Sequence, residues 1–140
     1  MLKYENRYQL YKFLIDDFGF IKVDEKYEPE HFGNFYILLS GKEFLIQYIN
    51  DRSFLTIEIA SKTEPSNWYA LSFIKDFLYN PDNINDNEQD LDKVKRVKNL
   101  NNFLRNDFHR VAELLNERNF PRTKQQLDER LKQQFTRRFG

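Results

Sequence analysis

The stretch Asn34-Phe35-Tyr36-Ile37-Leu38-Leu39-Ser40-Gly41-Lys42-Glu43-Phe44-Leu45-Ile46-Gln47-Tyr48-Ile49-Asn50-Asp51-Arg52-Ser53-Phe54-Leu55-Thr56-Ile57-Glu58-Ile59-Ala60 decides the fold. Branched and aromatic side chains alternate along three short runs separated by turn formers, the pattern of a three-stranded antiparallel meander. Gly41-Lys42 has glycine at the first central position, as a type II′ two-residue hairpin wants, so Leu39 is expected to face Phe44, Ile37 to face Ile46 and Phe35 to face Tyr48. With Asn50-Asp51-Arg52-Ser53 as the second loop, Ile49 pairs with Phe54, Tyr48 with Leu55, Ile46 with Ile57 and Phe44 with Ile59. Both hairpins thus choose the same buried face.

The other face carries Tyr36, Leu38, Leu45, Ile49 and Phe54 beside Gln47, Thr56 and Glu58, with Leu45 expected opposite Glu58 and Gln47 opposite Thr56. It is too apolar to be left only to water. Either a helix of the same chain covers it, or another protein does, and a mixed aromatic and polar patch suits the second use.

Outward from the meander, helical periodicity takes over. Tyr4, Tyr8, Tyr11, Ile15 and Phe18, widened by Leu10 and Leu14, predict a helix over 2–18 that Gly19 ends. Phe20 to Val23 suggests a fourth strand, followed by an acidic stretch that Pro29 keeps from running on as a central strand. After Glu64-Pro65-Ser66, the residues Trp68, Leu71, Phe73, Ile74, Phe77 and Leu78 predict a deeply buried second helix that Asn80-Pro81 stops. Leu91, Val94, Val97, Leu104, Phe108, Val111 and Leu115 line a third. A straight helix over 91–118 would be about 42 Å long at 1.5 Å per residue, against a diameter of roughly 37 Å for a domain of this length. It must therefore bend, with Asn99-Leu100-Asn101-Asn102 the candidate place, or project. Asn119-Phe120-Pro121 separates it from a last helix with a capping-box pattern, Thr123 to Gln126, and the stripe Leu127, Leu131, Phe135 and Phe139.

The expected fold is therefore a single α+β domain over 1–140. It has an N-terminal helix, a three- to four-stranded antiparallel meander within 20–61 and three C-terminal helices within 66–139. Helices one and two are expected on the Phe35/Ile46/Ile57 face, and the C-terminal helices complete the core.

The chain has 140 residues, 40% of them hydrophobic, with 14 Phe and 8 Tyr, so the core is built from large side chains. It contains no cysteine, which excludes disulfides, thiolate metal sites and cysteine nucleophiles. Met1 to Arg7 leads into an amphipathic pattern and no apolar run nears the roughly 18 residues of a membrane span, so no membrane association and a cytoplasmic protein are expected. The net charge of zero conceals an asymmetry: 8 basic against 11 acidic side chains over 1–64 (−3), 1 against 6 over 65–92 (−5), and 13 against 5 over 93–140 (+8). The acidic middle either neighbours the basic end in the fold or meets a basic partner.

No cluster amounts to a catalytic signature. His31 lies among Asp24, Glu25, Glu28 and Glu30, types that bind hard cations, but their spacing matches no metal loop and a solvated acidic connection accounts for them. No metal site is assigned. His109 reads as a helix-edge histidine. Glu58 is the one carboxylate whose apolar surroundings could adapt it to acid–base work, giving a small enzyme or ligand-binding pocket as an alternative function. No second acid, nucleophile or histidine is expected beside it. Glycine-rich phosphate loops and dinucleotide fingerprints are absent, and no cofactor is expected. Nucleic-acid binding through the basic C-terminal helices, by Lys95, Arg96, Lys98, Arg137 and Arg138, is a further alternative, though the interleaved aromatics fall on core-facing stripes.

An N-terminal helix, a meander holding Tyr48-Ile49-Asn50-Asp51-Arg52 and Ile57-Glu58-Ile59, and helices after it make the chain resemble the small immunity proteins that accompany bacterial polymorphic or contact-dependent toxins. The resemblance implies a non-enzymatic protein that blocks a cognate toxin, and it assigns no residues. The expected binding surface combines Tyr36, Leu45, Gln47, Phe54 and Glu58 on the second sheet face with Asp82, Asp86, Glu88 and Asp90, the acidic residues steering a basic partner to apolar anchors. A projecting third helix leaves a homodimer open.

Overall fold

The computed structural model describes residues 7–31, 33–81 and 93–139, with side chains at all of these except 93, 94 and 137–139. The element order is α1 (Arg7–Phe18), β1 (Ile21–Glu28), β2 (Asn34–Ser40), β3 (Phe44–Asp51), β4 (Phe54–Ser61), β5 (Tyr69–Ala70), α2 (Leu71–Tyr79), α3 (Lys93–Asn106), α4 (Phe108–Leu115) and α5 (Phe120–Phe139). The strands form one antiparallel sheet in sequence order, β1-β2-β3-β4-β5. The expected α+β class and the helix–meander–helices order hold, and the two-residue β5 is an addition to them.

The buried face is the expected one, but both central hairpins pair two residues out of the expected register. Leu39 faces Ile46, Ile37 faces Tyr48 and Phe35 faces Asn50. Across the next hairpin Tyr48 faces Ile57, Ile46 faces Ile59 and Phe44 faces Ser61. A shift of two keeps every side chain on its face, because strand side chains repeat with period two.

The physical reasons lie in the turns. The first reverses over Lys42 and Glu43, with the Gly41 amide donating to the Phe44 carbonyl at 2.9 Å. Gly41 does not take the positive φ of a type II′ turn. Its lack of a side chain serves packing instead: a Cβ there would come within 2.3 Å of the Phe20 ring. The second hairpin turns on Arg52 and Ser53, whose φ of 53° and 68° make the left-handed pair of a type I′ turn without the usual glycine. The Asn34 carboxamide oxygen accepts the Arg52 amide at 2.8 Å and holds that turn to the start of β2. Asn50, read from sequence as a loop residue, is a buried strand residue whose side chain donates to the Gly33 carbonyl.

Helices α1, α3 and α4 meet the first face. Tyr11 of α1 packs on Tyr48. The Tyr48 hydroxyl donates to the Asn101 side chain of α3 at 3.0 Å, and Asn101 in turn donates to the Leu10 carbonyl at 3.0 Å. Ser61 Oγ donates to the Leu115 carbonyl of α4 at 2.7 Å. At the hairpin end of the sheet Phe108 stacks on Phe18 at 3.8 Å and lies against Phe20 and Phe44.

The helices differ from expectation in instructive places. In α1 the buried side chains are Leu10, Tyr11, Phe13 and Leu14, so Tyr8 on the expected stripe is exposed. Gly19, with φ of 70°, ends the helix, and the amides of Gly19 and Phe20 return to the carbonyls of Ile15 and Leu14. The second helix is shorter than predicted, because Tyr69 and Ala70 pair with β4 first, and only Leu71 and Ile74 in it are fully buried. It lies at the β4–β5 side beside α3. The third helical run breaks at Asp107, not at Asn99 to Asn102. That break turns Phe108 into the aromatic cluster, and Val111 N–H donates back to the Asp107 carbonyl. The last helix starts at Phe120, before the expected Thr123 cap. Asn116 supplies the cap, its side chain accepting the Asn119 amide at 2.8 Å, and Thr123 is buried inside the helix.

Two measurements follow from these contacts. Gly41→Ala should lower stability by about 1–3 kcal/mol in urea unfolding, because Phe20 is wedged between Phe44 and Phe108 and has little room to retreat. Burial pushes the Tyr48 phenol well above its ordinary value, and burial foremost pushes Tyr69 up to about 12. The unfolded chain releases these protons near pH 10 while the folded one keeps them, so their contribution to stability is complete below pH 10 and declines as pH rises beyond it. Tyr48→Phe should flatten that alkaline decline in thermal unfolding between about pH 10 and 12.

Candidate functional site

The second sheet face is set by the same alternation that buries the first. Its central row across the strands is Asp24, Leu38, Gln47, Glu58 and Ala70, and the next is Lys26, Tyr36, Ile49 and Thr56. Leu45 sits between Ser40 and Ala60 in the row on the other side. The register shift therefore pairs Gln47 with Glu58, where Thr56 and Leu45 were expected as their partners.

That pair is a hydrogen bond. Gln47 Nε2 donates to Glu58 Oε1 at 2.6 Å, with Gln47 only 7% exposed and Glu58 half-buried. Among the described residues no basic side chain pairs with Glu58. Its neighbours across the strands are Gln47 and Ala70, so the sheet sets no second acid, histidine or nucleophile directly beside it.

Tyr36, Leu38, Leu45 and Ile49 are half-buried and stand outside the continuous hydrophobic core. Further along, Ile21, opposite Ser40 in the row of Leu45, is 69% exposed and carries the apolar surface to the outer strand. A β-bulge between Lys22 and Asp24 brings Asp24 into line with Leu38. The Tyr36 phenol is raised from its ordinary value by partial burial first and the nearby Asp24 carboxylate second. Phe54, at the far end, is 49% exposed with the Arg96 guanidinium 4.6 Å from its ring centre.

The structure thus brings Tyr36, Leu45, Gln47 and Glu58 onto one surface and leaves Phe54 at its border. Asp82, Asp86, Glu88 and Asp90 lie outside the described residues. Of the basic set, Lys95 and Lys98 are exposed on α3, while Arg96 is folded inward and donates to the Leu55 carbonyl at 3.0 Å. The side chains of Arg137 and Arg138 lie outside the described residues. Arg130, another cation of the basic end, is 6% exposed and clamps the end of α2, pairing with Asp76 at 2.6 Å and donating to the Asn80 carbonyl at 2.9 Å.

Glu28, Glu30 and His31 bring potential ligand atoms within 4.8 Å of one another on the surface, an arrangement common without a bound ion. His109 is exposed beside Phe108. Among the described residues no helix is long and apolar enough to cross a membrane. Sequence reasoning missed Asp24, whose place on this face depends on the bulge, and the Gln47–Glu58 bond, which depends on register. No family model matches the chain, and neither does a curated protein or a solved structure.

Truncation separates the two faces. Ile46→Ala, on the first, should cost about 2–5 kcal/mol, whereas Leu45→Ala, on the second, should cost about 1 kcal/mol or less. Equal losses in urea unfolding would mean that the second face is as enclosed as the first.

Proposed function

We propose that the protein is a non-catalytic binding domain that receives another protein on the second face of its sheet. The observation that carries this reading is the apolar surface of Tyr36, Leu38, Leu45 and Ile49, half-buried and outside the core, around the Gln47–Glu58 pair. Contiguous apolar surface on a small domain marks interaction sites, and mixed aromatic, aliphatic and amide composition suits their centres. The resemblance to immunity proteins supplies the partner class, a toxin domain blocked by occupation of its surface in the cytoplasm. An acid–base role for Glu58 finds less support, because its cross-strand neighbours are an amide and an alanine. A nucleic-acid role likewise loses Arg96 and Arg130 to internal contacts.

The test is capture at low salt from a lysate of the source organism, using wild-type protein and the face variants Leu45→Arg and Ile49→Asp in parallel. A protein retained by the wild type and lost by both folded variants, whose toxicity the wild type suppresses on co-expression, is the expected result. Retention of nothing, or of proteins that ignore both substitutions, would refute the reading.

A further inference from the structure

Resting on that reading of the second face, we propose that the partner seats an aliphatic or aromatic side chain on Leu38, Leu45 and Ile49 and offers a cation, best an arginine, to Glu58. A second cation meets Asp24. The geometry comes from the central row, in which Asp24 and Glu58 flank Leu38 and Gln47. Three strand spacings of 4.7–4.9 Å set the two carboxylate positions about 14 Å apart on either side of the apolar centre.

Glu58 imposes the chemistry. A carboxylate can accept about four hydrogen bonds, and the described residues supply one, from Gln47 at 2.6 Å. Because Gln47 is itself nearly buried, its amide holds the carboxylate in one orientation, and no other described residue donates to it. An apolar surface laid over this face would strip water from that charge and give nothing back, which is costly. A partner able to cover the face must therefore bring donors to this point, and the planar fork of a guanidinium matches a carboxylate best. The same carboxylate rejects partners that lack a cation there, so it confers selectivity as well as attraction.

The surrounding charge has the same sign. Among the described strand residues of this face, Asp24, Glu28 and Glu58 outnumber Lys26, and Lys26 already lies 4.0 Å from Glu28. A second copy of the chain would bring the same excess of carboxylates, so a basic partner is the better fit.

A phage-displayed library of random dodecapeptides, panned on the wild-type protein at low salt and depleted on Leu45→Arg, tests the assignment directly. Enriched peptides should carry Arg or Lys beside a large apolar residue. Synthetic copies should lose about tenfold or more in affinity to Glu58→Gln, less to Asp24→Asn, and weaken with added salt. Glu58→Lys should invert the selection toward acidic peptides. Circular dichroism and thermal unfolding confirm that each variant is folded, since glutamine at 58 keeps an acceptor for Gln47. Face-dependent peptides without cationic enrichment, or indifferent to Glu58→Gln, would overturn this inference and leave the protein-binding reading standing. An absence of any face-dependent peptide would overturn both. A dimer in sedimentation that Leu45→Arg dissociates would assign the face to a second copy and also overturn it.

Discussion

The hydroxyl of Tyr48 governs how the layers assemble. Tyr48 occupies the middle strand on the first face and is wholly enclosed, so its polar end needs a partner where water cannot reach. Asn101 meets it from α3 and passes the requirement on to the Leu10 carbonyl of α1. One chain of two hydrogen bonds thus fixes the sheet, the first helix and the third helix relative to one another. Around it the aromatic contacts of Tyr11 on one side and Phe44, Phe20 and Phe108 on the other fill the space that the polar chain spaces out. With α1, α3 and α4 on this face, Tyr36, Leu38, Leu45 and Ile49 of the opposite one stand half-buried outside the continuous core.

Which face would be buried was legible because alternation with period two is written into the residues themselves. The register was not, because a two-residue slip preserves every facing and so leaves the hydrophobic pattern unchanged. Only turn chemistry could have decided it, and both turns depart from common preferences. Gly41 is a packing residue that resembles a turn residue, while the true type I′ turn falls on Arg52 and Ser53, neither of them glycine or asparagine. The helix boundary at Asp107 was hidden for a related reason. Leu104, Phe108 and Val111 continue a helical stripe whether or not the helix is continuous, and the packing of Phe108 just after the break is on Phe18 and Phe44, far away in sequence.

The candidate surface inherits that division. Tyr36, Leu45, Gln47 and Glu58 were assigned to one face by alternation alone, so their grouping survives the slip. Their pairing does not, and the pairing is what joins Gln47 to Glu58 and converts an isolated carboxylate into an oriented one. Asp24 enters through a bulge that no periodicity announces. Arg96, attractive in sequence as part of a basic run, is occupied by Phe54 and the Leu55 carbonyl, because the helix that carries it packs across the end of β4.

Arg96 also bears on how the sheet treats strangers. Strands with free margins invite lateral growth into fibres or exchange with neighbouring chains. Here β5 pairs with β4 at Glu58 and Ile59, and Arg96 holds the Leu55 carbonyl nearer the other end of the same strand. On the opposite margin, β1 is kinked by its bulge and studded with Lys22, Asp24, Glu25 and Lys26. Both margins are thereby made poor templates for an incoming strand. The half-buried apolar side chains of the second face therefore lie between two margins that resist the addition of a strand.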